Sequence, residues 1–282
     1  MKIATFNANS VRSRLPIVLK WLNAERPDVL AVQETKVMDD QFPRADFENA
    51  GWHAAIRGQK SYNGVAFFSR KPLDSVDATW DPSGSGEART LVGRMGEWLL
   101  INTYVPQGFE PDSPKFENKL KFYAGLKKLF AKHVRPDAPA LWMGDLNVAP
   151  TEIDLWDPKR NAEHVCFHPK ARAALAAACN DLWDPKRNAE HVCFHPKARA
   201  ALAAACNGLW TDLFREKEKG PDHYTYWDYL IPTNFSRNRG WRIDHMMGTP
   251  PAVRRLKNIW IDRAPRGWEK PSDHTFLVAE FH

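Results

Sequence analysis

Cysteine is scarce in this 282-residue chain: there are four, Cys166, Cys179, Cys193 and Cys206, and none elsewhere. Cysteines confined to one segment do not make the disulfide framework of a small secreted domain, so a reducing compartment, the cytoplasm, is expected. Long hydrophobic runs are also lacking. No stretch approaches the roughly 20 apolar residues of a membrane helix, and the opening MKIATFNANS enters a strand and a turn without the apolar core of a signal peptide. No membrane association is expected. Neither sign of charge dominates, with 40 Lys+Arg against 34 Asp+Glu and a net charge of +6. A modest basic excess suits a polyanionic partner, and equally a soluble protein that happens to be basic. Hydrophobic residues make up 43% of the chain, enough to bury a core in one large α/β domain or two small ones.

What is present is a set of short polar patches, each abutting an apolar β-like run. Asn7 follows KIATF, Glu34 follows DVLAVQ, and Asp145 and Asn147 follow APALWMG. Asp244 lies in RGWRIDHMM, and Asp273 with His274 in SDHTFLVAEF. Carboxylates and amides at the ends of core strands need something to gather them. A divalent cation with a phosphate would do so, because hard cations select oxygen ligands.

KIATFN, DVLAVQE, WHAAIRG, GVAFFSR, TLVGRM, WLLINTYV, ALWMGDLN, YTYWDY, RIDHMMG, LKNIWID and HTFLVAEF read as strands. PIVLKWLNA and KFENKLKFYAGLKKLFAKHV read as amphipathic helices, and GQKSYNG and DPSGSGE as turns. Two halves of similar grammar predict two sheets packed face to face with helices outside, a four-layer α/β/β/α sandwich in one domain over 1–282. Asn7, Glu34 and Asp145 fall at the C-terminal ends of their strands, whereas Asp244 and Asp273 fall near the starts of theirs. They can share one edge only if some strands run antiparallel, so both sheets must be mixed.

Residues 154–180, DLWDPKRNAEHVCFHPKARAALAAACN, recur letter for letter as 181–207. Two copies are too few for a solenoid. Each reads as a polar loop and a short Ala-rich helix beginning near Pro169 or Pro196. The fold needs one copy. The second helix is expected to take the packed position, because it runs into GLWTDLF with Gly208 available as a C-cap. The other copy is expected to be a surface insertion. His164, Cys166 and His168, with their duplicates His191, Cys193 and His195, have no partner pair at a familiar zinc spacing and read as loop residues.

Taken singly, the polar residues leave alternatives open. Glu34 could be a solvated strand end. Gly144 permits a tight exit at GDLN, placing Asp145 to take a proton from water and Asn147 to bond a phosphate oxygen or the water. Asp273 and His274 face opposite ways if strictly extended, and share a site only at a twist beside Pro271. Asp244 could be a salt-bridged strand residue. Tyr104, in NTYVPQG, could reach a phosphate or close the core edge.

As an ordered set, FNANSVR, QETK, SYNGVAFFSR, NTYVPQG, GDLNVAPT, NRGWRIDHMM and EKPSDH resemble the exonuclease III-type abasic-site endonucleases of the endonuclease/exonuclease/phosphatase superfamily. The resemblance covers the whole chain apart from the extra copy. It implies a Mg²⁺-dependent phosphodiesterase, with Mn²⁺ able to substitute, that cuts double-stranded DNA 5′ to abasic sites and trims 3′ ends. Glu34 and Asn7 would meet the metal, with Asp145, Asn147, Asp273 and His274 around it. Asp145 and Asn147 would handle the water, and His274, paired with Asp273, the scissile phosphate. Asp244 would hold that cluster, and Tyr104 would face the phosphate. Tyr226, Trp227 and Trp241 would wall a pocket for the extruded baseless sugar. Tyr226 stands where relatives also carry an indole or a phenyl ring, which leaves the pocket's size open. Lys119, Arg237 and Arg239, with Lys115 and Lys121, are candidate phosphate contacts. Nothing calls for a protein partner, so a monomer is expected. Two other readings remain: the same fold acting on inositol phosphates or phospholipid head groups, and a DNA-binding protein impaired by the duplication.

Overall fold

The computed structural model describes residues 1–179 and 208–282. The chain lays down β1 (Lys2–Asn7), α1 (Leu15–Glu25), β2 (Val29–Gln33), α2 (Arg44–Asn49), β3 (His53–Arg57), β4 (Val65–Ser69) and β5 (Ser75–Asp77). Next come β6 (Thr90–Met95), β7 (Trp98–Tyr104), α3 (Pro114–His133), β8 (Ala140–Asp145) and α4 (Pro169–Cys179). Beyond residue 207 lie β9 (Thr211–Asp212), α5 (Leu213–Lys217), β10 (Asp244–Gly248), α6 (Pro250–Arg255), β11 (Leu256–Asp262) and β12 (Phe276–Phe281).

Two six-stranded sheets form, in the orders β11-β12-β1-β2-β4-β3 and β5-β6-β7-β8-β10-β9. Each is antiparallel except for one central parallel pair, β1 with β2 and β7 with β8. The mixed sheets expected from strand ends and starts are therefore present. Antiparallel β8 and β10 place Asp145 directly opposite Asp244, and parallel β7 and β8 place Tyr104 beside Asp145.

Period-2 alternation divides each strand between two cores. Ile3, Val29, Ala31 and Phe67 of the first sheet meet Leu100, Leu141, Met143 and Met246 of the second. On the outer face of the first sheet, Phe6, Leu30, Val32 and Phe68 pack against Trp21 and Leu22 of α1 and Phe47 of α2. On the outer face of the second, Ile101 and Trp142 pack against Phe122, Leu126 and Phe130 of α3 and Leu175 of α4. The result is the four-layer α/β/β/α sandwich. At the end nearest the polar patches, the core between the sheets closes with polar side chains. Gln33 Nε2 donates to Asn102 Oδ1 at 2.7 Å, and Asn102 Nδ2 donates to the carbonyls of Val32 and Ala66 at 3.1 and 2.9 Å.

One expectation needs correction. YTYWDY is not a strand: Tyr226 makes only isolated bridges, to Trp241 and His274. Its aromatic residues have strand propensity, but each bridge links single residues rather than a ladder. α4 of the first repeat copy, with Ala171, Leu175 and Ala178 buried, occupies a packed position on the second sheet of the kind expected of the second copy's helix. The first copy joins the fold continuously. Thr151 and Asp154 cap each other through side chain and backbone, Asp154 is fully buried, and Ala149 N donates to Cys166 O at 2.7 Å. The second copy, including the helix expected near Pro196, lies outside the described residues. Where the described chain resumes, Trp210 N donates to Cys179 O at 3.3 Å.

Candidate active site

β1, β2, β7 and β8 all end at one edge, β10 begins there, and the segment entering β12 crosses it. Two backbone turns aim the side chains: Glu34 and Asn147 both adopt left-handed conformations, with φ of 52° and 51°. Asn tolerates that region, whereas for Glu34 the surrounding structure must enforce it. Gly144, at φ 135°, is required for a different reason, since an added Cβ would sit 2.0 Å from the Thr103 carbonyl.

Asn7 is fully buried and joins the two sheets, its Nδ2 donating to Glu34 Oε1 at 2.8 Å and to Asp145 Oδ2 at 2.9 Å. The other Glu34 oxygen pairs with Lys36 Nζ at 2.7 Å. Asp145 Oδ1 accepts from the backbone of Asn147 at 2.9 Å, and Asn147 Nδ2 donates to Val105 O at 2.9 Å and Asp145 Oδ2 at 3.2 Å. His274 Nδ1 lies 2.7 Å from Asp244 Oδ2, and its Nε2 lies 3.9 Å from Asp145 Oδ2, beyond hydrogen-bond range. The Arg89 guanidinium lies 4.7 Å over the Tyr104 ring.

The charges follow from burial. Burial opposes charge on His274, but Asp244, Asp145 and Asp273 outweigh it and lift its pKa to about 10, so the ring is an imidazolium at neutral pH. Burial pushes Asp145 up to about 8; Asp244 and Glu34 add to the rise, against His274 and the Asn7 amide. Burial and the neighbouring Glu34 and Asp145 carboxylates hold the Tyr104 hydroxyl well above its usual range, so it stays protonated.

The donor set fits a hard divalent cation. Its ligand atoms are carboxylate and amide oxygens carrying a surplus of negative charge, and the buried Asp244 Oδ1 has no hydrogen-bond partner. Asp145, Asp244 and His274 bring one polar atom each within 4.8 Å of one another, the two carboxylates as ligands and the protonated ring as a donor beside them.

The site opens into a cleft of about 470 Å³. Tyr226 and Trp241 line it, with the Tyr226 ring 4.9 Å from His274. Arg239 lines it too, its guanidinium 5.0 Å over Trp156, whereas Arg237, Lys115 and Lys121 are exposed away from it. Three expectations change. Trp227 is fully buried against Phe235, its Nε1 donating to Asn238 Oδ1 at 3.3 Å, so it supports the wall from behind. Lys119 is fully buried and donates to three backbone carbonyls, which removes it from the phosphate contacts. His274 pairs with Asp244 rather than Asp273, because neighbouring side chains diverge; Asp273 Oδ1 accepts from Asn9 Nδ2 at 3.0 Å and lies 3.2 Å from Ser272 Oγ.

Several site residues were not anticipated. Lys36 bonds Glu34 and Asn9, and Ser272 Oγ donates to the Asn7 carbonyl at 2.8 Å. Trp156, Arg160, Asn161, His164 and Cys166 of the first repeat copy form one wall of the cleft. The signal for that wall was positional, since the repeat begins seven residues after Asn147. Among the described residues, His164, Cys166 and His168 form no metal-ligating group.

A sandwich with carboxylates, amides and an imidazolium converging at one end defines a phosphoester hydrolase. The endonuclease/exonuclease/phosphatase family model matches residues 4–274, and the chain belongs to that family as a hydrolytic nuclease. It is 30% identical to exodeoxyribonuclease III of Haemophilus influenzae over 302 aligned positions, covering 100% of both chains. A solved AP endonuclease from Archaeoglobus fulgidus is 38% identical with a TM-score of 0.87, covering 100% of this chain and 99% of that one. A Neisseria 3′ phosphatase bound to a product DNA hairpin is 30% identical with a TM-score of 0.86 and the same coverage.

Proposed function

We propose that this protein is a Mg²⁺-dependent DNA-repair phosphodiesterase that cuts double-stranded DNA 5′ to abasic sites and trims 3′ ends as a 3′→5′ exonuclease and 3′ phosphatase. It acts in the cytoplasm as a monomer. The observation carrying this reading is the single amide of Asn7 joining Glu34 of one sheet to Asp145 of the other, at the floor of a cleft walled by Tyr226 and Trp241.

Glu34, with Asn7 and Asp145, would hold the metal, which supplies an electrophile for the charge developing on phosphate. Asp145, whose two oxygens accept from the Asn7 and Asn147 side chains and the Asn147 backbone, takes the proton of the attacking water, and the metal would hold it as the carboxylate this role requires. Asn147, fixed by Val105 and Asp145, orients the water. The imidazolium of His274, held by Asp244, presents Nε2–H to a phosphate oxygen, and the protonated Tyr104 adds a second donor. A baseless nucleotide has already lost stacking and pairing, so extruding it costs less than extruding a normal one, and the Tyr226–Trp241 wall favours the sugar without a base.

The test is a labelled abasic duplex, and a duplex with a 3′-phosphate, incubated with Mg²⁺, with EDTA, and with Glu34→Ala. Mg²⁺-dependent incision that is lost in the variant is the expected result. Cleavage of only soluble inositol phosphates, or binding of the duplex without cutting, contradicts the proposal.

A further inference from the structure

α3 presents an anomaly on its apolar face. Phe116, Lys119, Tyr123, Leu126 and Phe130 follow one another at spacings of three and four residues, and all five are buried, Lys119 with no exposed surface. Burying an ammonium among these neighbours is costly unless every proton is bonded. It is: Nζ donates to Asn147 O at 2.7 Å, Val165 O at 2.9 Å and Gln107 O at 3.1 Å. Three carbonyl acceptors are satisfied together only by the three N–H donors of the charged form, since a neutral amine would turn its lone pair on one of them. Burial lowers the Lys119 pKa, opposed by Cys166 and Asp145.

The three carbonyls belong to three different walls of the site. Gln107 lies just beyond Tyr104, Asn147 is the amide beside Asp145, and Val165 lies between His164 and Cys166 of the first repeat copy. Asn147 is the residue among them held in the left-handed region, with φ 51°, a conformation that persists where surrounding contacts enforce it. Its side chain meets the same cluster, because Cys166 Sγ lies 3.7 Å from Asn147 Oδ1. Tyr123, the next residue of the stripe, donates its hydroxyl to the Leu146 carbonyl at 2.5 Å.

We infer that Lys119 is a positioning residue for the phosphodiester hydrolysis proposed above, its buried ammonium clamping the backbones of Asn147, Gln107 and Val165 so that the Asn147 amide and Asp145 keep the geometry of the attacking water. It touches neither substrate nor metal. Its contribution falls on the chemical step, and the first repeat copy is thereby tied to catalysis through Val165.

The experiment compares the full-length wild type with Lys119→Met, which keeps the stem and removes the donors, on the abasic duplex with saturating Mg²⁺ and well below the melting temperature. Lys119→Arg is made in parallel, restoring a buried cation should the methionine variant fail to fold. Leu126→Ala on the same helix face is the control for lost stability alone. A wild type that does not cut at all sinks the proposed function and the clamp that rests on it, whereas failure of the clamp alone leaves wild-type cutting intact. The clamp predicts that kcat per folded molecule falls about 10- to 100-fold in Lys119→Met, as misplacement of about an ångström does, with KM and the Mg²⁺ half-saturation within twofold of wild type. Lys119→Arg recovers part of that loss, and Leu126→Ala lowers the melting temperature without changing kcat. Unchanged kcat in the folded lysine variants, or a loss confined to KM, overturns the inference.

Discussion

The two sheets follow one plan, a central parallel pair ending at the site, yet they hold their catalytic groups differently. The first sheet delivers the buried Asn7 and, at a partly solvated rim, Glu34 paired with Lys36. The second delivers Tyr104, Asp145, Asn147 and Asp244, and its edge is fastened from behind by buried charges and hydroxyls. Lys119 and Tyr123 hold the GDLN loop, while Arg242 bonds Asp154 at 2.7 Å and lies 2.7 Å from Asp212. The contrast separates tasks. On the proposed function, the rim would gather metal and phosphate, where solvated ligands exchange readily, and the buried edge would fix the groups that must not move while water attacks.

If both edges serve one reaction, neutralising a carboxylate on either should be equally damaging. Glu34→Gln and Asp145→Asn are each expected to lower kcat/KM on an abasic duplex by on the order of 10³-fold or more in steady-state assays. A large loss in one alone would break the symmetry.

Stability should divide the sheets more sharply. Arg242 is buried with Asp154 and Asp212, so Arg242→Met is expected to cost roughly 3–5 kcal/mol in urea unfolding. Although burial opposes it, Arg242 and its neighbours Arg215 and His245 hold both carboxyls below their ordinary values. Stability from a depressed carboxylate is fully present above the unfolded pKa of about 3.9 and is lost as pH falls through the folded value. The variant should therefore unfold at a higher pH than wild type when acidified, followed by tryptophan fluorescence.

His274 links the sheets, since it enters β12 of the first and bonds Asp244 of the second. Its pKa of about 10 means that its contribution to stability is complete below about 6.5 and lost as pH rises through 10. In EDTA, the imidazole proton resonance of His274 should titrate near that value in wild type and at lower pH in Asp244→Asn. The smallest effect is expected from the repeat. Removing residues 154–180 or 181–207 yields the same chain, which retains every cleft-lining residue of the first copy, so kcat and KM should stay within about twofold.

Much of this was legible before folding. Asn7, Glu34 and Asp145 at strand ends and Asp244 at a strand start required mixed sheets, because period-2 geometry leaves no other way to bring them together. Ordered motifs placed the carboxylates, amides and histidine. Pairing was less visible: whether His274 would meet Asp273 or Asp244 depends on the turn at Ser272, which alternation does not specify. Tyr226 and Trp227 looked equivalent, yet one lines the cleft and the other is fully buried, since adjacent residues outside a regular strand obey no simple alternation. Lys119 was misassigned although the signal was present: a lysine sharing the three-four stripe of Phe116, Tyr123, Leu126 and Phe130 belongs to the buried face. The two repeat copies carry identical side chains, so composition had no means of choosing between them.

The central claim, that two sheets build one metal-dependent site, is tested most directly by Mn²⁺ binding to the full-length protein without DNA, read by electron paramagnetic resonance. Wild type should bind the ion at this site, and Glu34→Gln and Asp145→Asn, each altered on a different sheet, should each weaken it by at least tenfold. Wild-type affinity in both variants, with folding intact, would contradict the account.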